Sequence, residues 1–194
     1  MKDIFIVDHP AGANYIKGMT IYGTQGTKDA IKNGAILAIT QGLHKTFGDD
    51  FCGADIAQIT KVLPAGKIDV GGIKFELIEN GYSYDLAIPE INMIYTHMLG
   101  KNTHSIIANE VHMDAMLGVL KSYQTKGYEL ILSGHSSPEG QDAVAEKIKY
   151  VEKIKELAKA SKTREDFITN VKKAFPNYNG DNYLEMTAGN LYNK

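Results

Sequence analysis

Cysteine and arginine are almost missing from this chain of 194 residues: each occurs once, as Cys52 and Arg164. A single cysteine excludes an intrachain disulfide and any metal cluster built on thiolates. Between Phe51 and Gly53 it reads as a small packing residue, with a catalytic thiol as the minor alternative. A single arginine removes the planar fork that reads bases and phosphates bidentately. A formal net charge of -2 adds no general attraction to nucleic acid or anionic membrane. No stretch is long and apolar enough to span a bilayer, and the run before Asp8 is too short for a signal peptide, so the chain reads as cytoplasmic. Three catalytic signatures are also missing. There is no Gly-x-Ser-x-Gly elbow, no Lys-Ser/Thr behind Gly23-Thr24-Gln25-Gly26 to make a phosphate loop, and no paired-carboxylate setting around Asp85 and Glu90.

What is present suits one domain over residues 1–194 with a single substantial core. Short β-branched runs bounded by turn residues predict strands at Ile4–Val7, Thr20–Tyr22, Lys67–Val70, Ile73–Ile78, Tyr84–Ile88, Asn92–Tyr95 and Leu130–Leu132. Gly71-Gly72 is a hairpin turn signal. Helical spacing predicts a helix from Ile106 to Tyr123, and another from a Ser137-Pro138 start to about Lys159 with Val144, Ile148, Val151 and Ile154 on one face. A third runs from Arg164, behind Thr163, to Phe175, before Pro176, and a short one covers Tyr183 to Leu191. Gly42 to Asp55 has weak periodicity and reads as a surface loop. Strands first, then strands alternating with helices, indicate an α/β sandwich.

The first strand runs into Asp8-His9-Pro10-Ala11-Gly12-Ala13-Asn14. This segment resembles the metallo-β-lactamase superfamily, in which a hydrophobic strand enters His-x-His-x-Asp-His and the imidazoles and carboxylate hold one or two metal ions that activate water. On that pattern His9 is the first histidine, Ala11 stands for the second, Ala13 for the aspartate and Asn14 for the last histidine. The order of later motifs continues the resemblance. Gly81-Tyr82-Ser83 stands where a Gly-His-Ser/Thr turn is expected, so Tyr82 replaces a histidine. Thr96-His97 occupies the place of the Gly-Asp pair whose carboxylate bridges the metals, and Ser133-Gly134-His135 matches the terminal Gly-His turn.

The resemblance implies a partial metallo-β-lactamase-like αββα sandwich that begins almost on its first motif, without the family's N-terminal half. That half would cover an apolar face, so a homodimer or another partner over an exposed sheet is expected. The lost ligands exclude a two-metal site and imply a non-catalytic binding or assembly protein with no cofactor, whose cleft could still take a small-molecule ligand. The alternative is a hydrolase of an ester, thioester, lactam or phosphoester with one zinc or other divalent metal held by His9, His97 and His135. Asn14, Tyr82 and His104 are candidate pocket residues in either case.

Overall fold

Three short parallel strands begin the first unit. β1 (Asp3–Phe5) pairs with β2 (Thr20–Gly23) in the register Ile4↔Ile21, and β2 takes β3 (Lys61–Val62) on its other edge. Side chains alternate across this sheet, and both faces are buried. Ile4, Ile6 and Ile21 pack with Ile31, Ile36 and Ile59, whereas Phe5, Val7 and Tyr22 pack with Phe75, Leu77, Tyr84 and Leu86 of a second sheet. Burial on both sides is why the first run is continuously apolar instead of alternating with polar residues. Both faces of this three-stranded sheet are therefore covered within the unit. The computed structural model describes residues 3–10, 13–51 and 57–192, and its two compact units are Met1–His97 and Met98–Lys194.

The second sheet of the first unit contains β4 (Gly66–Val70), β5 (Ile73–Asn80), β6 (Ser83–Ile88) and β7 (Met93–Thr96), each antiparallel to the next. Gly71 and Gly72 both have positive φ, 63° and 82°, as a type I′ turn demands, and Asp69 Oδ1 accepts from Gly72 N at 3.1 Å. Between β2 and β3 lie α1 (Gln25–Asn33) and α2 (Ala35–Phe47). Thr24 caps α1 by accepting from Thr27 N at 3.2 Å.

α2 corrects the loop expected from Gly42: the helix runs through that glycine to Phe47 and turns at Gly48, φ 56°. Its periodicity is weak as a core signal because α2 buries only Ile36. A 3-10 turn at Gly48–Asp50 follows, and Cys52 lies outside the described residues.

The second unit contains α3 (Glu110–Lys126), β8 (Leu130–Ser133), α4 (Gln141–Ala160), α5 (Arg164–Ala174) and α6 (Asp181–Tyr192). α3 starts four residues later than the apolar spacing suggests, because Asn109 is the cap that accepts from His112 N at 2.9 Å. α4 starts after Gly140, not at Ser137-Pro138. Glu139 exchanges two backbone hydrogen bonds of 2.9 Å with Ile131, and that bridge holds the segment extended. α5 begins behind Thr163, as expected, with the threonine accepting from Asp166 N at 3.1 Å.

Lys147 of α4 is 2 % exposed and holds the segment that precedes α3. Its Nζ donates to Thr103 O at 2.6 Å and to Ser105 Oγ at 3.3 Å. Burial lowers its pKa to about 8 against the counteracting charges of Glu139 and Glu146. Unfolding restores the ordinary value of 10.5, so between these two values the unfolded chain binds a proton that the native chain lacks. Native stability contributed by this group therefore rises with pH across that window, by about 1.4 kcal/mol per unit. Urea titrations at pH 8 and pH 10 should show the parent gaining about 2 kcal/mol relative to Lys147→Met. Equal pH dependence of the two proteins would show that the amine keeps its proton throughout.

Candidate metal centre

The segment after β1 is held from both sides. Ile6 N donates to Tyr22 O at 2.9 Å, and Val7 O accepts from Tyr84 N at 3.0 Å, so one edge is tied to β2 and the next residue to β6. This fixes the point where Asp8 and His9 leave the core. β7 delivers His97 directly after its last residue, Thr96, to the same place. The donor atoms of Asp8, His9 and His97 all lie within 4.8 Å of one another. His9 Nδ1 and Asp8 Oδ1 are 3.1 Å apart, and the His9 and His97 rings meet edge to face with centroids 5.0 Å apart. The hydrogen bond to Asp8 raises the His9 pKa, burial opposes it and the carboxylate charge adds to it.

The turn between β5 and β6 lies next to this cluster. Gly81 takes the positive φ of 69°, and Thr27 Oγ1 of α1 donates to Tyr82 O at 2.8 Å, which secures the turn against the start of that helix. Gly26 permits this close approach: a Cβ there would stand 3.1 Å from Gly81 O, tighter than an ordinary contact. Burial raises the pKa of the Tyr82 phenol, and the charge of Asp8 raises it further, which places the phenol within electrostatic reach of the cluster.

The other expected residues are placed as follows. Asn14 lies in a 3-10 turn at Ala13–Tyr15, its side chain outside what is described, and Ala11 is outside the described residues. Ala13 is buried in the apolar cluster around Ile21 and Ile31. His135 is exposed in the second unit, behind β8, with its N–H on Ser133 Oγ at 3.4 Å. His104 is also in the second unit, buried, with Nδ1 paired to the Tyr150 hydroxyl at 3.1 Å; burial lowers its pKa. The first unit thus brings His9, His97 and Tyr82 together by itself. It adds Asp8, to which the sequence reading gave no role; a carboxylate immediately before the motif histidine was the signal available.

The donor set suits a divalent ion. Zinc is bound tetrahedrally by imidazole nitrogen and carboxylate oxygen at about 2.0–2.2 Å, so two donors on one ion stand about 3.4 Å apart. Donors spread over as much as 4.8 Å would therefore have to draw together by up to about 1.4 Å around an ion. Two imidazoles with one carboxylate also leave coordination positions open, as a catalytic site requires.

No family model and no curated sequence matches the chain. Solved structures do. The stereoselective inverting sec-alkylsulfatase Pisa1 from Pseudomonas sp. superposes with a TM-score of 0.63 at 11% identity, covering 98% of this chain and 40% of that one. The metallo-β-lactamase family protein TTHA1429 from Thermus thermophilus gives 0.57 at 12% identity, over 98% of this chain and 73% of its own. The metallo-β-lactamase from Pontibacter korlensis gives 0.53 at 10% identity, over 78% and 69%. This chain therefore spans about two fifths of the alkylsulfatase and about seven tenths of the other two. Strand order, the turn at Tyr82 and these superpositions agree: the chain has the metallo-β-lactamase fold.

Proposed function

We propose that the chain binds one divalent metal ion through Asp8, His9 and His97 and hydrolyses an ester-type bond at that reduced site, in a carboxylic ester, thioester, lactam or phosphoester. The convergence of one carboxylate and two imidazoles within 4.8 Å carries this reading. A metal bound there supplies Lewis-acid activation of water at neutral pH. Asp8 Oδ1 pairs with His9 Nδ1, which fixes the orientation of the imidazole. Tyr82, a phenol and so protonated at neutral pH, donates to the negative charge that develops on the substrate oxygen. One ion and not two fits the apolar burial of Ala13, where the resemblance expects a metal-binding aspartate.

That same substitution favours the second reading, a non-catalytic binding or assembly protein. Plasma mass spectrometry of protein exposed to excess zinc and then desalted separates the two. About one ion per chain is expected in the parent and in His135→Ala, together with metal-dependent cleavage of a chromogenic ester or phosphoester. Loss of the ion in His135→Ala would transfer the third ligand from Asp8 to His135. Absence of zinc from the parent would leave the non-catalytic reading.

A further inference from the structure

Among the described residues, Ile36 is what α2 buries in the core of its unit. After Ile36, its one buried residue, it carries Ile39, Leu43 and Phe47 at intervals of four, which places them on one stripe, and they are 54 %, 39 % and 57 % exposed. Every residue from Gln41 to Asp50 is exposed. A helix of 13 residues is marginal in water on its own, since helical stability in proteins comes mostly from packing an apolar face. Capping does not compensate. Gly34 offers no side-chain cap, and no acidic residue stands in the first turn.

The charges around α2 are arranged in a way that selects its occupant. Between Ala35 and Phe47 the only formal charge is Lys45, while Asp49 and Asp50 follow directly at the C-terminal end. There they oppose the helix's own dipole, whose negative end they adjoin, and the positive end at Gly34 to Leu37 has no acid. An antiparallel copy of the same helix resolves both. With a twofold axis at Leu43, Ile39 faces the partner's Phe47 and Leu43 faces itself. The antiparallel arrangement also brings the end that carries Asp49 and Asp50 toward the partner's first turn, which lacks an acid. An unrelated partner would have to supply both the apolar stripe and the acidic pair; a second copy already carries them in matching order.

We propose that α2 is the dimerisation helix of this protein, pairing antiparallel with α2 of a second copy about Leu43. The proposal is independent of metal binding at Asp8, His9 and His97, so a His97→Ala protein that has lost its metal still dimerises.

The full chain should sediment at twice the 21.3 kDa of one protomer at about 50 μM. In a Cys52→Ser background, Leu43→Cys should form a disulfide-linked dimer under mild oxidation, because a residue on the axis meets its own copy, while Gln41→Cys should cross-link much more slowly. Leu43→Glu should be monomeric with unchanged circular dichroism outside the α2 contribution. Replacing Asp49 and Asp50 together by asparagine should weaken the dimer about tenfold at low salt and little at high salt. A parent that remains monomeric at about 50 μM would overturn the proposal, as would a dimer in which Leu43→Cys gives no cross-link and Leu43→Glu no dissociation.

Discussion

Replacement of His97 by alanine is expected to remove zinc from the protein and leave its melting temperature within a few degrees of the parent. The imidazole stands one residue beyond β7, half-buried, while the buried side chains that hold that strand are Met93, Ile94 and Thr96. Truncation at 97 thus cuts a donor without opening the core. Removing even an outer-shell partner of a metal ligand costs roughly 10–100-fold in affinity, and loss of one of three direct ligands costs more. Asp8→Asn tests the carboxylate on its own. Asparagine keeps the volume and can still accept from His9 Nδ1 as Asp8 does now at 3.1 Å, but it is a poor ligand without charge. Zinc lost in both variants, with equilibrium dialysis as the readout, establishes the three-residue set. Zinc lost in His97→Ala but kept in Asp8→Asn would reduce Asp8 to the residue that orients His9, and zinc kept in both would end the metal reading of this cluster.

How far such a site is legible in a sequence depends on the range of the interactions that form it. The strands were readable because their burial is local and repetitive: Ile4 and Ile6 point one way, Phe5 and Val7 the other, and all four are apolar because the parallel sheet is covered on both faces. Gly71-Gly72 and Thr163 were readable because a turn and a cap are decided by a few adjacent residues. Three features were not. The start of α4 is set by Glu139 pairing with Ile131, eight positions back, which no helical period reveals. α2 lacks the burial that makes periodicity visible as a core signal. In the candidate cluster, Asp8 and His97 are far apart in the sequence, so only the family resemblance pointed to His97, and the one signal for Asp8 was its place directly before His9. Local chemistry marks where a chain bends, whereas a site assembled from distant strand ends becomes visible only once the register is known.

Tyr150→Ala is expected to destabilise the second unit by about 4 kcal/mol, within the range of roughly 3–5 kcal/mol for truncating a large buried aromatic residue. Tyr150 is fully buried on α4 and stacks on Tyr178 with centroids 5.3 Å apart; Phe175 at 5.0 Å and His104 at 5.7 Å close the same cluster. Its hydroxyl pairs with His104 Nδ1 at 3.1 Å and accepts from Ser105 N at 3.4 Å. The alanine variant therefore leaves a cavity among three rings and takes a partner from two polar atoms, in a molecule whose whole stability is of the order of 5–15 kcal/mol. Tyr150→Phe divides the loss. It keeps the rings in place and removes only the hydroxyl, so urea denaturation should give it about 1–2 kcal/mol of the total. A phenylalanine variant as unstable as the alanine one would mean that the hydrogen bonds to His104 and Ser105, and not the ring stack, hold the segment from Thr103 to Ala108 against α4. His104 would then be the centre of that attachment, because its imidazole is the buried group left without the hydroxyl, and His104→Phe would restore stability that Tyr150→Phe had lost.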